Sequence, residues 1–118
     1  MKFGYLIIYV PDVSASLEFF SVAFGLPTRF LHESGTYGEL ETGATTLAFA
    51  ADELAAMNFH GGHVSAHSSA KPLGMEVALV TEDVPAAHTQ ALKAGASEIA
   101  PPNSTANMSS ASAASRIW

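Results

Sequence analysis

Two stretches of this chain repeat one another at a fixed offset. Leu6-Ile7-Ile8-Tyr9-Val10-Pro11-Asp12-Val13-Ser14-Ala15 is echoed by Val77-Ala78-Leu79-Val80-Thr81-Glu82-Asp83-Val84-Pro85-Ala86, with Asp12/Asp83, Val13/Val84 and Ala15/Ala86 each 71 positions apart. Each copy reads as an apolar strand, an acidic turn and a helix that closes on glycine, Gly25 in the first and Gly95 in the second. A solenoid needs three or more units to bury its faces. Two copies instead imply a duplicated module whose halves face one another across a shared cavity.

The first module can be followed element by element. Phe3 to Val10 is β-rich and stops at Pro11. Asp12 or Ser14 can cap the next element, where Val13, Leu17, Phe20 and Phe24 recur at helical spacing with Phe19 beside them. Gly25 closes that helix and Pro27 blocks its continuation. Arg29 to His32, Thr36 to Glu41 and Thr45 to Ala50 read as three strands, the last two joined around Thr42-Gly43-Ala44. Ala51 to Met57 has the composition of a helical turn. We therefore expect a single domain with module one over 1–57, a Gly/Ser/His-rich linker over 58–72, and module two over 73–118.

In the second module Met75 to Val80 reads as the fifth strand. A helix runs from the Asp83 cap to about Ala94, with Val84, Ala87, Ala91 and Leu92 on its buried side, and Ser97 to Ala100 reads as a short strand. From there the pattern fails. Residues 103–116 are almost entirely Ser, Ala, Asn and Thr, without alternation or aromatic side chains before Ile117-Trp118. This tail does not read as two further strands; a shifted reading frame or a truncation would give such an ending. The fold class expected is α+β: tandem βαβββ modules forming a curved mixed-sheet cleft, with the second module incomplete or altered.

Composition removes several classes of function. With no cysteine there is neither a disulfide framework nor a thiolate metal site. Eleven Asp and Glu against five Lys and Arg leave no basic face for a phosphate backbone, so no nucleic-acid partner is expected. No apolar run reaches the length of a membrane span, and no basic region followed by a small-residue cleavage site opens the chain, so a cytoplasmic location is expected. A Gly-x-Ser-x-Gly elbow and a phosphate-cradling Gly loop are both missing.

Tyr5-Leu6-Ile7-Ile8-Tyr9-Val10-Pro11-Asp12-Val13-Ser14-Ala15-Ser16-Leu17-Glu18-Phe19-Phe20 followed by Phe24-Gly25-Leu26 resembles the opening of the vicinal oxygen chelate superfamily. That superfamily includes glyoxalase I, bleomycin-resistance proteins, fosfomycin-resistance enzymes and extradiol dioxygenases. Gly74 to Val80, Asp83-Val84 and Ala91-Leu92-Lys93-Ala94-Gly95-Ala96 are similar to the start of its second module. The resemblance covers roughly residues 3 to 102. It implies paired βαβββ modules, each curling into half of a cleft, and commonly a homodimer. Here the dimer could be strand-exchanged, since a missing last strand leaves an open edge.

Strand parity then sorts the side chains. Leu6, Ile8 and Val10 share one face of the first strand, and Tyr5, Ile7 and Tyr9 the other. The family places its metal ligands, one His or Glu per strand, on the cleft face. The matching positions here are Tyr5, Ala48 and Glu76, and a divalent ion with an open site needs about three competent protein ligands. Only Glu76 qualifies, so neither a metal nor another cofactor is expected. His60, His63 and His67 lie in a glycine-containing stretch, are expected to have no carboxylate beside them, and read as solvated loop histidines. The residues expected to line the cleft are Tyr5, Ile7, Tyr9, Tyr37, Glu39, Ala48, Glu76 and Ala78. Aromatic faces with a carboxylate suit a flat or cationic small molecule. The function this points to is metal-free binding of the bleomycin-resistance type, as in antibiotic resistance by sequestration. A metal-dependent lyase or dioxygenase, or a degenerate paralogue that only dimerises, are the alternatives.

Overall fold

The computed structural model describes residues 1–102 and the backbone of Ser110–Ala111. Its first half is the expected βαβββ unit: β1 (Tyr5–Val10), α1 (Val13–Phe24), β2 (Thr28–Leu31), β3 (Tyr37–Leu40) and β4 (Thr46–Ala51). The four strands form one curved, unclosed mixed sheet in the order β1-β4-β3-β2. β1 lies parallel to β4, with Tyr5 opposite Thr46 and Val10 opposite Ala51, and the other neighbours are antiparallel.

Local chemistry sets the boundaries of α1. Asp12 is extended and its Oδ1 accepts from the Ala15 N–H at 3.0 Å, satisfying one of the amides left over in the first turn. Gly25 takes the left-handed conformation (φ 67°), from which its N–H reaches back to the carbonyls of Phe20 and Ser21. Between the caps, Val13, Leu17 and Phe20 face inward and meet Val10, Leu40, Leu47, Phe49 and Ala51, all buried. Leu6 and Ile8 pack onto this cluster, and the Phe20 and Phe49 rings lie 5.0 Å apart. The face of β1 formed by Leu6, Ile8 and Val10, with Leu47, Phe49 and Ala51 beside it on β4, is therefore the one under α1. Gly38 of β3 lets the helix come close, because a Cβ there would meet Leu17 Cδ1 at 2.6 Å.

α2 (Asp52–Asn58) follows β4 directly, and 59–78 holds no helix or strand. The second module departs from expectation in three places. The strand expected over 75–80 is only Leu79–Val80 (β5), because its one described partner is the two-residue β6 (Ser110–Ala111), with Leu79 opposite Ala111 and Val80 opposite Ser110. β6 thus places one two-residue strand inside the tail, which does not read as two further strands; the rest of 103–118 lies outside the described residues. Ser97 to Ala100 is irregular rather than a strand.

α3 (Val84–Lys93) reproduces the echo closely. Asp83 caps it by accepting from the Ala86 N–H at 3.0 Å, the counterpart of Asp12 and Ala15. It packs on α1, and Gln90 Nε2 donates to the Val22 carbonyl at 3.2 Å. Its buried side differs from the expected one. Ala91 is buried and Val84 and Ala87 are half-buried, but Leu92 is exposed, and buried His88 pairs with Glu98 (Nε2–Oε2 2.5 Å).

Candidate functional site

The sheet face opposite α1 carries six of the eight residues picked out by sequence. Register places them in rows. Ile7 lies beside Ala48, Ala48 beside Glu39 and Glu39 beside Phe30. Tyr9, Ala50 and Tyr37 form the adjacent row, and Tyr5 stands beside Thr46. The small side chains of Thr46, Ala48 and Ala50 on the central strand are buried. Larger ones stand on both sides of them: Tyr5, Ile7 and Tyr9 on β1, Tyr37 and Glu39 on β3. The result is a trough in outline only: a row of small central side chains, themselves covered by the larger ones that stand over them from both sides. Tyr5 is 55% exposed and Ile7 42%.

One wall is held by a polar network. Tyr37 donates its hydroxyl to Glu39 Oε2 at 2.7 Å, while Arg29 Nε and Nη2 donate to Glu39 Oε1 at 3.2 and 2.9 Å. Arg29 Nη2 also donates to Thr46 Oγ1 at 2.6 Å, which ties β2 to β4 across β3. The Tyr37 hydroxyl, backed by the Arg29 guanidinium, holds the Glu39 carboxyl below its usual range despite burial. Burial, then the bond to Glu39, pushes the Tyr37 phenol well up. The Glu39 carboxylate is thus ionised but engaged on both oxygens, and Tyr37 is a committed donor. Neither is poised as a general base.

Sequence reasoning missed Arg29, and it left Thr46 out of the expected lining. Thr46 was legible from the parity that gave Ala48. Arg29 was not, because the register shifts between Thr28 and Phe30: Thr28 lies opposite Leu40 and Phe30 opposite Glu39. A bulge of this kind re-aims a side chain in a way that simple alternation does not reveal.

Glu76 and Ala78 stand elsewhere. Both are exposed, on irregular chain before β5, and so are not part of the β1-β4-β3-β2 face. Of the three positions that match the family's ligands, Ala48 offers no donor atom, Tyr5 offers a phenol and Glu76 lies off the sheet. Among the described residues no group of three or more His, Cys, Asp or Glu could hold a metal ion. The residues present do not fit a divalent centre of the family's type.

The linker histidines are less isolated than sequence suggested. Asp52, the first residue of α2, meets His67 Nε2 at 2.9 Å and His63 Nε2 at 3.6 Å. The expectation that no carboxylate lies beside them is corrected, because Gly61 and Gly62, both at φ 88°, turn the chain back over α2. The side chains are only a fifth to a third exposed, though Asp52 Oδ1 is buried without a hydrogen-bond partner. The His63 ring lies 5.8 Å from Tyr9, whose other neighbours are Phe59 at 5.8 Å and Asn58 Nδ2, which donates to its hydroxyl at 3.2 Å. This cluster closes the Tyr9 end of the trough. His60 is exposed.

A separate groove of about 590 Å³ runs between the C-terminal end of α1, β5 and α3, lined by Val22, Phe24, Leu26, Val80, Ala87 and Gln90 among others. It holds none of the residues picked out by sequence.

Solved structures share this architecture. One described as a glyoxalase/bleomycin resistance protein/dioxygenase from Nocardioides superposes with a TM-score of 0.60 at 20% identity, covering 87% of this chain and 68% of that one. A gene product from Arabidopsis thaliana gives 0.60 at 21% identity, with 86% and 78% covered. A possible glyoxalase from Bacillus cereus gives 0.55 at 17%, with 80% and 75% covered. At these identities the likeness establishes the fold. No curated protein matches the sequence. The family model for the glyoxalase/bleomycin resistance protein/dioxygenase superfamily matches residues 2–114. With the βαβββ unit and its echoed, capped second helix, this match makes the chain a member of that superfamily.

Proposed function

We propose that the protein binds a flat aromatic small molecule in the trough on the open face of the β1-β4-β3-β2 sheet, and does so without a metal of its own. The observation that carries this is the small-residue floor of Thr46, Ala48 and Ala50 between the walls of Tyr5, Ile7 and Tyr9 and of Tyr37 and Glu39. A planar ring seated over this row, against exposed Tyr5 and Ile7, gains apolar burial and edge or face contacts with the tyrosines. Sequence left open a cationic ligand as well. The aromatic class is favoured, because both oxygens of Glu39 are engaged and Glu76 lies off the sheet. Sequestration of a drug-like aromatic, as in antibiotic resistance, is one use of such a trough. The donor chemistry at Tyr5, Ala48 and Glu76 disfavours a metal-dependent lyase or dioxygenase.

A homodimer is a second part of the proposal. Among the described residues β1 pairs only with β4, and an unpaired strand edge next to exposed Tyr5 and Ile7 favours a further strand from a second copy. Light scattering on the purified full chain decides it: twice the chain mass supports the dimer, and a monomer at high micromolar concentration rejects it. No helix among the described residues is long and apolar enough to cross a membrane; the cytoplasmic location belongs to the proposal.

Calorimetric titration with a panel of two- and three-ring aromatics tests the binding role. Saturable binding that weakens when exposed Tyr5 is replaced by Ala supports it, because the aromatic wall that the ring leans on is then lost. A panel in which nothing saturates rejects it.

A further inference from the structure

Arg29 reaches the trough from a bulge and is braced there. Its guanidinium has five N–H donors. The bonds to Glu39 and Thr46 use the Nε hydrogen and both hydrogens of Nη2. Nη1 makes no hydrogen bond among the described residues, and the side chain is 34% exposed. Tyr37 holds Glu39 from its other oxygen, so the brace is itself fixed. The group is therefore a pre-oriented donor pair at the edge of an apolar floor.

Its charge is largely offset. Glu39 is in direct contact, and Glu41 is close enough to act on the guanidinium as well. An incoming anion would meet these carboxylates, and an incoming cation would find Glu39 already taken. An uncharged acceptor suffers neither penalty and still gains a charge-assisted hydrogen bond. We propose that Arg29 Nη1 sets the specificity of the trough for aromatic ligands that carry a neutral oxygen acceptor, such as a ketone conjugated to the ring. This rests on the trough being the binding site.

Four naphthalenes of similar size separate the possibilities: 2-acetylnaphthalene (a ketone), 2-methylnaphthalene, 2-naphthoate (an anion) and 2-naphthylmethylammonium (a cation), each titrated into the full chain by calorimetry. The ketone should bind about tenfold more tightly than the methyl compound, as a hydrogen bond from a charged donor implies. Arg29→Lys keeps a cation beside Glu39 but removes the Nη1 donors. In that variant, checked for native circular dichroism, the ketone should bind no more tightly than the methyl compound. Persistence of the preference in Arg29→Lys overturns the inference, as does tightest binding of the anion or the cation. Equal binding of all four compounds also overturns it while leaving the trough as a binding site. Binding by none rejects both.

Discussion

Gly38→Ala is the sharpest test of how α1 lies on the sheet, and hence of which face is open. A Cβ at position 38 would sit 2.6 Å from Leu17 Cδ1, 3.2 Å from Val13 Cγ1 and 3.3 Å from the Phe30 carbonyl oxygen. Leu17 is the nearest clash and the end of a flexible side chain, but it is 3% exposed and packed among Val13, Phe20 and Leu40, so it has little room to turn. Overpacking of this degree costs about 1–3 kcal/mol. Replacing glycine in a strand returns roughly 0.5–1 kcal/mol of backbone entropy. A 2.6 Å approach takes the upper half of the overpacking range, so the expected net loss is about 1–2.5 kcal/mol, a fall in Tm of roughly 3–15 °C at the ~3–6 °C per kcal/mol intermediate between smaller and larger domains. Urea unfolding of wild type, Gly38→Ala, Leu17→Ala and the double variant measures it. Leu17→Ala alone should cost about 2–5 kcal/mol. In the Gly38→Ala background it should cost less, since the new methyl occupies part of the space that Leu17 vacates. A Gly38→Ala protein as stable as wild type, or strictly additive losses, would refute the reasoning and with it the assignment of Tyr37 and Glu39 to the opposite face.

The two caps of the echo should behave alike: Asp12→Ala and Asp83→Ala each remove one side-chain bond to the amide three residues on, and each should cost about 0.5–2 kcal/mol in denaturant unfolding. Because the Glu39 carboxyl is held below its ordinary 4.5, its contribution to stability is complete above that value and is lost as pH falls below it; Glu39→Gln should flatten this part of the stability–pH curve. Tyr37 works at the other end, since its phenol is raised above the ordinary 10.0. Its contribution is complete below pH 10 and declines above it, and the tyrosinate absorbance of wild type minus Tyr37→Phe should stay flat up to about pH 11. Asp52→Ala should loosen the linker from α2. Amide exchange at 59–68 should accelerate about two- to fivefold, the scale of partly exposed ion pairs, while β1 and β4 stay protected; unchanged linker exchange would show that the histidine contacts do not hold it.

What sequence conveyed well was whatever local rules decide. Asp12, Gly25 and the apolar spacing of Val13, Leu17 and Phe20 specify α1 within a residue, and alternation along β1 sets the more buried Leu6, Ile8 and Val10 apart from exposed Tyr5 and Ile7. Pairing partners are not local, and there sequence overreached. Met75 to Val80 alternates like a strand, yet only Leu79 and Val80 find a described partner, so Glu76 and Ala78, expected to line the cleft, have no sheet to stand on. Ser97 to Ala100 lacks one altogether among the described residues. Arg29 was hidden by a register shift that propensity does not encode. Asp52 was hidden by distance, since 11 and 15 residues separate it from the two histidines that two left-handed glycines fold back onto it.

The central claim is that small molecules bind on the open sheet face. Amide chemical-shift mapping of the ¹⁵N-labelled protein during titration with 2-acetylnaphthalene addresses it most directly. The account predicts saturable shifts concentrated at Tyr5, Ile7, Tyr9, Glu39, Thr46 and Ala48, with the linker around His63 responding at the Tyr9 end. Shifts concentrated instead at Val22 to Leu26 and Ala86 to Gln90 would move the site to the groove between the two helices and contradict the account.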